Sequence, residues 1–255
     1  MTGRSYSSMN TIRSAVSAIA NIDNMPAGRH PLVCRFLKAV FQVRPTLSRS
    51  RITWDPDLIL TYIESLGPND ALSTIQLSRK LVMLMLLVSG QRGQALHVLD
   101  IRNMSVSPSR VSFRIGDLLK TSRPGAHFSE LSFDTYVHNT LLCVYTTILY
   151  YLKRTSDIRG NITGFFLTTR PPFKVASRDT LRRWTKDLMY SAGLDLSMFS
   201  PHSTRSSASS KAALSLPLST IVSTVGWASD STFGKFYKKP LGNHTHFAEA
   251  VLRRH

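Results

Sequence analysis

Six side chains define the chemistry open to this sequence: Arg92, Lys120, His202, Arg205, Trp227 and Tyr237, in that order along the chain. The nonbridging oxygens of a phosphodiester are negative, and more charge gathers on them as the phosphorus becomes five-coordinate. An arginine fork donates two hydrogen bonds to such oxygens and keeps its charge at any working pH. Arg92 and Arg205 therefore suit the place where a metal ion would otherwise act. Lys120 can protonate a leaving 5′ oxygen as general acid. His202 stands three residues before Arg205, so on a helix both face one group, and it takes a proton or binds a phosphate oxygen. Tyr237 is the candidate nucleophile, a phenol that needs nearby cations to lower its pKa. Such a set would cut a DNA strand through a phosphotyrosine bond with no metal and no cofactor. Each member also has an ordinary alternative: a helix-end arginine, a solvated strand lysine, a surface His202–Arg205 pair, a core tryptophan, a half-buried tyrosine among eight. Order and spacing carry the reading.

The elements that must position these residues follow from periodicity. Asn10 to Ile22 and Leu32 to Val43 read as two helices around a Gly- and Pro-containing turn, and the chain is expected to begin inside a domain, because its first residues run straight into helix. The stretch RPTLSRSRITWDP loses apolar periodicity and reads as a linker over 46–53. Its neighbourhood holds Arg44, Arg49 and Arg51, which either lie along phosphates or are simply solvated. A larger domain, 54–255, follows, with helices over Asp57 to Ser65 and Ser73 to Val88, the second apolar enough to be buried. Arg92 falls at the turn after it. Val111, Phe113 and Ile115, then Leu131 and Phe133, alternate with polar residues around an Arg-Pro-Gly turn and predict a small antiparallel sheet, with Lys120 on the strand entering the turn. Helices are predicted over Tyr136 to Lys153, over Arg178 to Tyr190 with Ser177 as cap and Gly193 as stop, from Pro201 through Arg205, over Ser219 to Val225, and over Ser231 to Tyr237. The predicted fold class is mainly α with a small antiparallel β-sheet.

Composition narrows the partners. Against 15 acidic residues stand 32 lysines and arginines, a formal net charge of +17, in a chain that is 42% hydrophobic and holds twelve phenylalanines. An excess of that size in a folded chain calls for a polyanion. The basic residues are dispersed and form no basic amphipathic helix, which favours nucleic acid over a membrane surface. Leu81 to Val88, the longest apolar run, is too short to cross a bilayer, and no signal-peptide layout opens the chain, so an intracellular, soluble protein is expected. Cys34 and Cys143, in apolar surroundings, read as reduced packing residues.

The motifs GQRGQAL, LLKTSRPGAH, PHSTR, VGW and TFGKFY resemble those of tyrosine recombinases, in the form found in the recombinases of DIRS-type retrotransposons. The resemblance covers nearly the whole chain from about Ser5 and is specific in its C-terminal two thirds. It implies a helical DNA clamp, of which residues 1–45 would be a part, followed by a mainly helical catalytic domain with a short sheet. It further implies that Arg92 and Arg205 hold the scissile phosphate, that Lys120 is general acid, that His202 assists proton transfer, that Trp227 takes the place of a second histidine, and that Tyr237 forms the 3′-phosphotyrosine link. Double-stranded DNA, assembly on it as a dimer to tetramer, and a nuclear location are implied with them. Two departures stand out. Many relatives have an acidic residue where this chain has Ala95, beside Gln94, so support of Arg92 is looser or comes from elsewhere. The interval from Trp227 to Tyr237 is about one residue longer than in some bacterial and phage relatives.

Other features are less specific. Arg182, Arg183, Trp184 and Lys186 cluster on one predicted helix and either touch phosphates or solvate its outer face. Lys238 and Lys239 lower the Tyr237 pKa or are a solvated pair. His244 and His246 lack a third ligand, so no metal site is assigned. Phe247 to Leu252 is amphipathic and suits docking on a neighbouring protomer. Three rival functions remain: a type IB topoisomerase with similar chemistry, a domesticated or decayed element product that binds DNA without cutting it, and a basic RNA-binding protein, which would explain the charge but not the ordered residues.

Overall fold

The computed structural model describes residues 4–45, 52–119, 122, 130–227 and 233–234. The chain divides into two compact units, Met1–Arg49 and Ser50–His255.

In the first unit, helix α1 (Tyr6–Ser17) is capped by Ser5, whose hydroxyl accepts from the Ser8 amide at 3.3 Å. The expected first helix ran to Ile22, but the chain leaves the helix after Ser17. Asp23 and Asn24 take positive φ (49° and 60°) and turn β1 (Asn21–Ile22) onto β2 (Met25–Pro26). Asp and Asn are the side chains that tolerate this left-handed pair, so local turn chemistry overrides the helical spacing of Ile19 and Ile22. Helix α2 (Pro31–Val43) follows with His30 as cap, one residue from its predicted start.

The second unit is organised around one helix. Helices α3 (Pro56–Ser65) and α4 (Thr74–Ser89) begin at Asp55 and at a Ser73/Gln76 capping box. On α4, Leu77, Leu81, Val82, Met83, Leu84 and Met85 are each 0% exposed. A helix apolar on every side belongs in a core, and α4 packs against α5 (Gly93–His97), α6 (Val144–Arg159), α7 (Arg178–Ser191) and α8 (Ser203–Ala212). Helix α9 (Leu218–Val225) completes the set. The sheet has three antiparallel strands in the order β3 (Met104–Val106), β4 (Arg110–Arg114) and β5 (Glu130–Asp134), with Val111 opposite Phe133 and Phe113 opposite Leu131. All four of these side chains are buried, as the alternation predicts. Strand β3 was not foreseen, since three residues are too few to show a period. The fold is mainly α with small antiparallel sheets, the predicted class.

Three other boundaries moved. The helix expected from Tyr136 starts at Val144, because the Asn139 carboxamide holds residues 136–143 in turns. Its oxygen accepts from the Leu141 amide at 3.0 Å and its nitrogen donates to Glu64, a local bonding pattern that competes with helix. At its other end α6 continues to Arg159, a buried arginine that donates to the carbonyls of Ile162, Gly164 and Phe165 and so shapes the loop after the helix. Helix α8 begins at Ser203 rather than Pro201, which places His202 at the cap. No helix among the described residues is long and apolar enough to cross a membrane.

Lys80 interrupts the apolar surface of α4. Its side chain is 0% exposed and its Nζ has no hydrogen-bond partner among the described residues. Burial pushes its ammonium down to about 8. With the folded pKa below the unfolded one, the charged amine destabilises the fold in full below about pH 8, and the penalty fades as pH rises toward the ordinary lysine value of about 10.4. Lys80→Met should therefore raise unfolding stability by on the order of 2–3 kcal/mol at pH 7 and by clearly less at pH 10, measured by urea denaturation. An equal gain at both pH values would show that the amine is not carrying a buried charge.

Candidate nucleic-acid cleavage site

The site begins where α4 ends. Gly90 adopts φ +59° and closes α4 with its amide on the Leu86 carbonyl at 3.0 Å. A Cβ on Gly90 would also lie 2.7 Å from Val225 Cγ2, so glycine is required both by conformation and by the approach of α9. The turn delivers Gln91, 6% exposed, and then Arg92 at the N-cap of α5.

Helix α9 ends in a glycine turn. Gly226, at φ +70°, donates to Ser223, and Trp227 donates to Val222 at 3.0 Å. The carbonyls of Thr224 and Val225 need other donors. Gln91 Nε2 supplies them, at 3.3 Å to Thr224 and 3.2 Å to Val225, and Arg205 Nη2 donates to the same Val225 oxygen at 3.0 Å. The Arg205 guanidinium, 4% exposed, lies 5.1 Å from the centre of the Trp227 ring, which packs on Phe233. Three sequence motifs, GQRG, PHSTR and VGW, thus meet around one carbonyl.

Helix α8 carries Arg205 and is itself polar and buried. Ser207 and Ser209 are at or below 2% exposed. Their hydroxyls are satisfied locally, Ser209 on the Arg205 carbonyl at 2.6 Å and Ser207 on the Trp54 carbonyl at 2.7 Å, while Trp54 Nε1 donates to Ser203 at 2.8 Å. Residues 53–54 and α8 are thereby fixed together, and Lys211 adds ion pairs to Asp55 and Asp57. One further contact sets α5 against the approach to α7, where His97 Nδ1 donates to the Ala176 carbonyl at 3.1 Å, and Ala95 on the same helix is buried at 2% exposed.

Between α4, α5 and α7 lies a cleft of about 530 Å³ whose lining includes Arg92, Gly93, Gln94, Arg178, Arg182 and His202. Three arginines and a histidine line one space, with Asp179 as the acid among its lining residues. Arg92 and His202 are therefore brought together, and Arg205 with Trp227, the two pairs being joined through Gln91 and Val225. Lys120 and Tyr237 lie outside the described residues, as do Arg49, Arg51, Lys238, Lys239, His244, His246 and the segment from Phe247 to Leu252. Arg44 belongs to the first unit, where its Nη1 donates to the Arg4 carbonyl at 3.4 Å. The basic cluster of α7 does not act as one face: Arg182 lines the cleft, whereas Arg183 lines a different groove and Lys186 lines neither. Sequence reasoning passed over Gln91 and Arg178. Arg178 was signalled by its position four residues before Arg182, on the same helical face. Among the described residues no group of three His, Cys, Asp or Glu side chains could hold a metal ion.

Gly90→Ala should cost about 1–3 kcal/mol in urea denaturation from the left-handed backbone alone, plus the clash with Val225. Adding Val225→Ala should recover the clash and leave the backbone strain, so a double-mutant cycle should show coupling of at least about 0.5 kcal/mol. Simple additivity would mean that α9 does not approach Gly90.

No protein-family model matches the chain, and no curated protein matches its sequence. Solved structures do match in fold. The Tn1549 transposon integrase in complex with transposon right end DNA is 15% identical with a TM-score of 0.58, over 98% of this chain and 78% of that one. A lambda integrase dimer bound to a COC′ core site is 17% identical with a TM-score of 0.54, over 94% and 76% of the two chains. The XerH site-specific recombinase bound to difH substrate is 12% identical with a TM-score of 0.53, over 98% and 70%. A mainly helical body with a small antiparallel sheet, superposing on these enzymes over nearly its whole length, gives this chain the tyrosine recombinase fold.

Proposed function

We infer that the protein is a tyrosine recombinase that cuts and rejoins double-stranded DNA through a 3′-phosphotyrosine intermediate. The observation that supports this reading best is the meeting of Gln91, Arg205 and Trp227 on the end of α9, beside a cleft lined by Arg92 and His202. In this reaction the Tyr237 oxygen attacks phosphorus and the 5′ oxygen departs, taking a proton from Lys120. His202 accepts the phenol proton or binds a nonbridging oxygen. Arg92 and Arg205 stabilise the charge that develops on the phosphorane, with Trp227 packed against the Arg205 guanidinium. The energy of the broken bond stays in the phosphotyrosine link, so the 5′ hydroxyl rejoins without ATP, metal or other cofactor. Arg178 and Arg182 extend the positive lining of the cleft toward the flanking backbone.

The finer reading is recombination or integration of a mobile element, closest in motif to the DIRS-type retrotransposons, with a nuclear site of action. Assembly on DNA as a dimer to tetramer accords with the matched lambda integrases, seen as a dimer on a core site and as a tetramer on a Holliday junction. Residues 1–45 would serve as part of a clamp, Arg44, Arg49 and Arg51 would follow the backbone between domains, and the segment from Phe247 would dock on a neighbouring protomer.

The test is a metal-free incubation with a nicked duplex carrying element-end sequence, followed by a denaturing gel. The wild type should form a protease-sensitive protein–DNA adduct. Tyr237→Phe should abolish it while changing DNA affinity by no more than about fivefold, since one hydroxyl contributes roughly 1 kcal/mol at most to binding. Arg92→Lys, which cannot make the forked contact, should slow adduct formation by about 10²–10³. An adduct that persists in Tyr237→Phe would overturn the assignment; binding with no adduct in the wild type would favour a DNA-binding protein that does not cut.

A further inference from the structure

We propose that the groove on the other flank of α7 is a second phosphate-binding site. Residues 182 and 183 are about 100° apart around a helix, so while Arg182 faces the cleft, Arg183 opens onto a groove of about 650 Å³. Arg79 from α4 and Arg170 from the loop before α7 join it there, over a floor that includes Ile75 and Trp184. The acid in the lining is Asp187, and Arg79 already holds it at 2.6 Å. Arg170 and Arg183 make no ion pair among the described residues, so two arginines without a paired acid line one groove.

The same groove receives the start of α4. The Ser73/Gln76 capping box occupies the amides of Ser73 and Gln76, and Thr74 and Ile75 in the first turn of this 16-residue helix line the same groove as the arginines. Helix start and arginine forks both favour a multiply charged oxyanion. A phosphate group meets that requirement, and its size and number of acceptors suit two forks approaching from α7 and the 168–170 loop. The phosphate comes either from nucleic-acid backbone outside the cleft, which rests on the function proposed above, or from a free phosphate compound, which does not.

Arg170→Ala/Arg183→Ala separates these sources, with Arg114→Ala/Lys153→Ala, exposed residues outside both the groove and the cleft, as a charge-matched control. Thermal melts confirm that both variants fold. The first readout is the slope of log affinity against log salt for a duplex: each lost phosphate contact removes about 0.9, so the groove variant should lose about 1–2 from the slope and the control less than half of that. The second is calorimetric titration with inorganic pyrophosphate in the absence of DNA, where the groove variant should bind at least about tenfold more weakly than wild type. A reduced slope supports backbone phosphate as the ligand; weakened pyrophosphate binding with an unchanged slope supports a free phosphate compound. If both readouts match wild type, or if the control changes as much as the groove variant, the site does not exist. Neither readout involves strand cleavage, so a wild type that binds DNA and forms no adduct would remove the recombinase reading and leave this one standing.

Discussion

The last carbonyls of α9 hold the site together. Any helix ends with four carbonyls that its own backbone does not satisfy, and buried ones must find donors elsewhere. Here the glycine turn at Gly226 satisfies Val222 and Ser223, and the side chains of Gln91 and Arg205 satisfy Thr224 and Val225. Those two donors come from segments more than a hundred residues apart in sequence. The negative end of the helix dipole favours a cation at that place, so Arg205 is bound there for a backbone reason before any substrate is considered. Gly90 is then obligatory, because Gln91 reaches α9 only if α4 ends close against Val225.

Helix α4 makes this arrangement rigid. With fully buried side chains on every face, each contributing roughly 1.5–3 kcal/mol, it cannot rotate or slide without exposing core. The turn at its C-terminus leads to Arg92 at the cap of α5, and its flanks support α7 with the cleft arginines and α8 with Arg205. Helix α8 solves a different problem. It must pass through the interior close to α4 and to residues 53–54, and serines permit that approach because they are small and return their hydroxyls to nearby carbonyls. An apolar α8 of larger side chains would push Arg205 away from Val225.

Much of this frame was legible in the sequence. The run from Leu81 to Val88, the alternation around Phe113 and Phe133, and Ser177 before α7 each state a period or a cap that tertiary packing does not oppose. The misses share a cause. The 21–26 hairpin, β3 and the 136–143 turns are set by single side chains, Asp23, Asn24 and Asn139, or by pairing of two or three residues, which a window of eleven cannot register. At the candidate site, Arg92, His202 and Arg205 stood out in the sequence because few residue types can meet phosphate. Gln91 did not, because an uncharged amide has no distinctive chemistry until the orphan carbonyls it serves are known. The division of Arg182 from Arg183 was available from the helical period, but the charge run drew attention to the cluster rather than to its two faces.

The manner in which Arg205 is held bears on the proposed chemistry. The Val225 carbonyl brings a dipole and the Trp227 ring a quadrupole, and both contacts orient the guanidinium without adding a net charge of their own. The surroundings are desolvated, and a charge there acts more strongly across a short distance than it would in water. Ala95, a small buried residue on the turn of helix that begins at Arg92, stands where many proteins with the resembling motif have an acid, so any support of Arg92 by an acid comes from elsewhere. In the proposed reaction, Arg205 oriented in this way would meet the charge that gathers on phosphorus, the requirement a metal ion would otherwise meet.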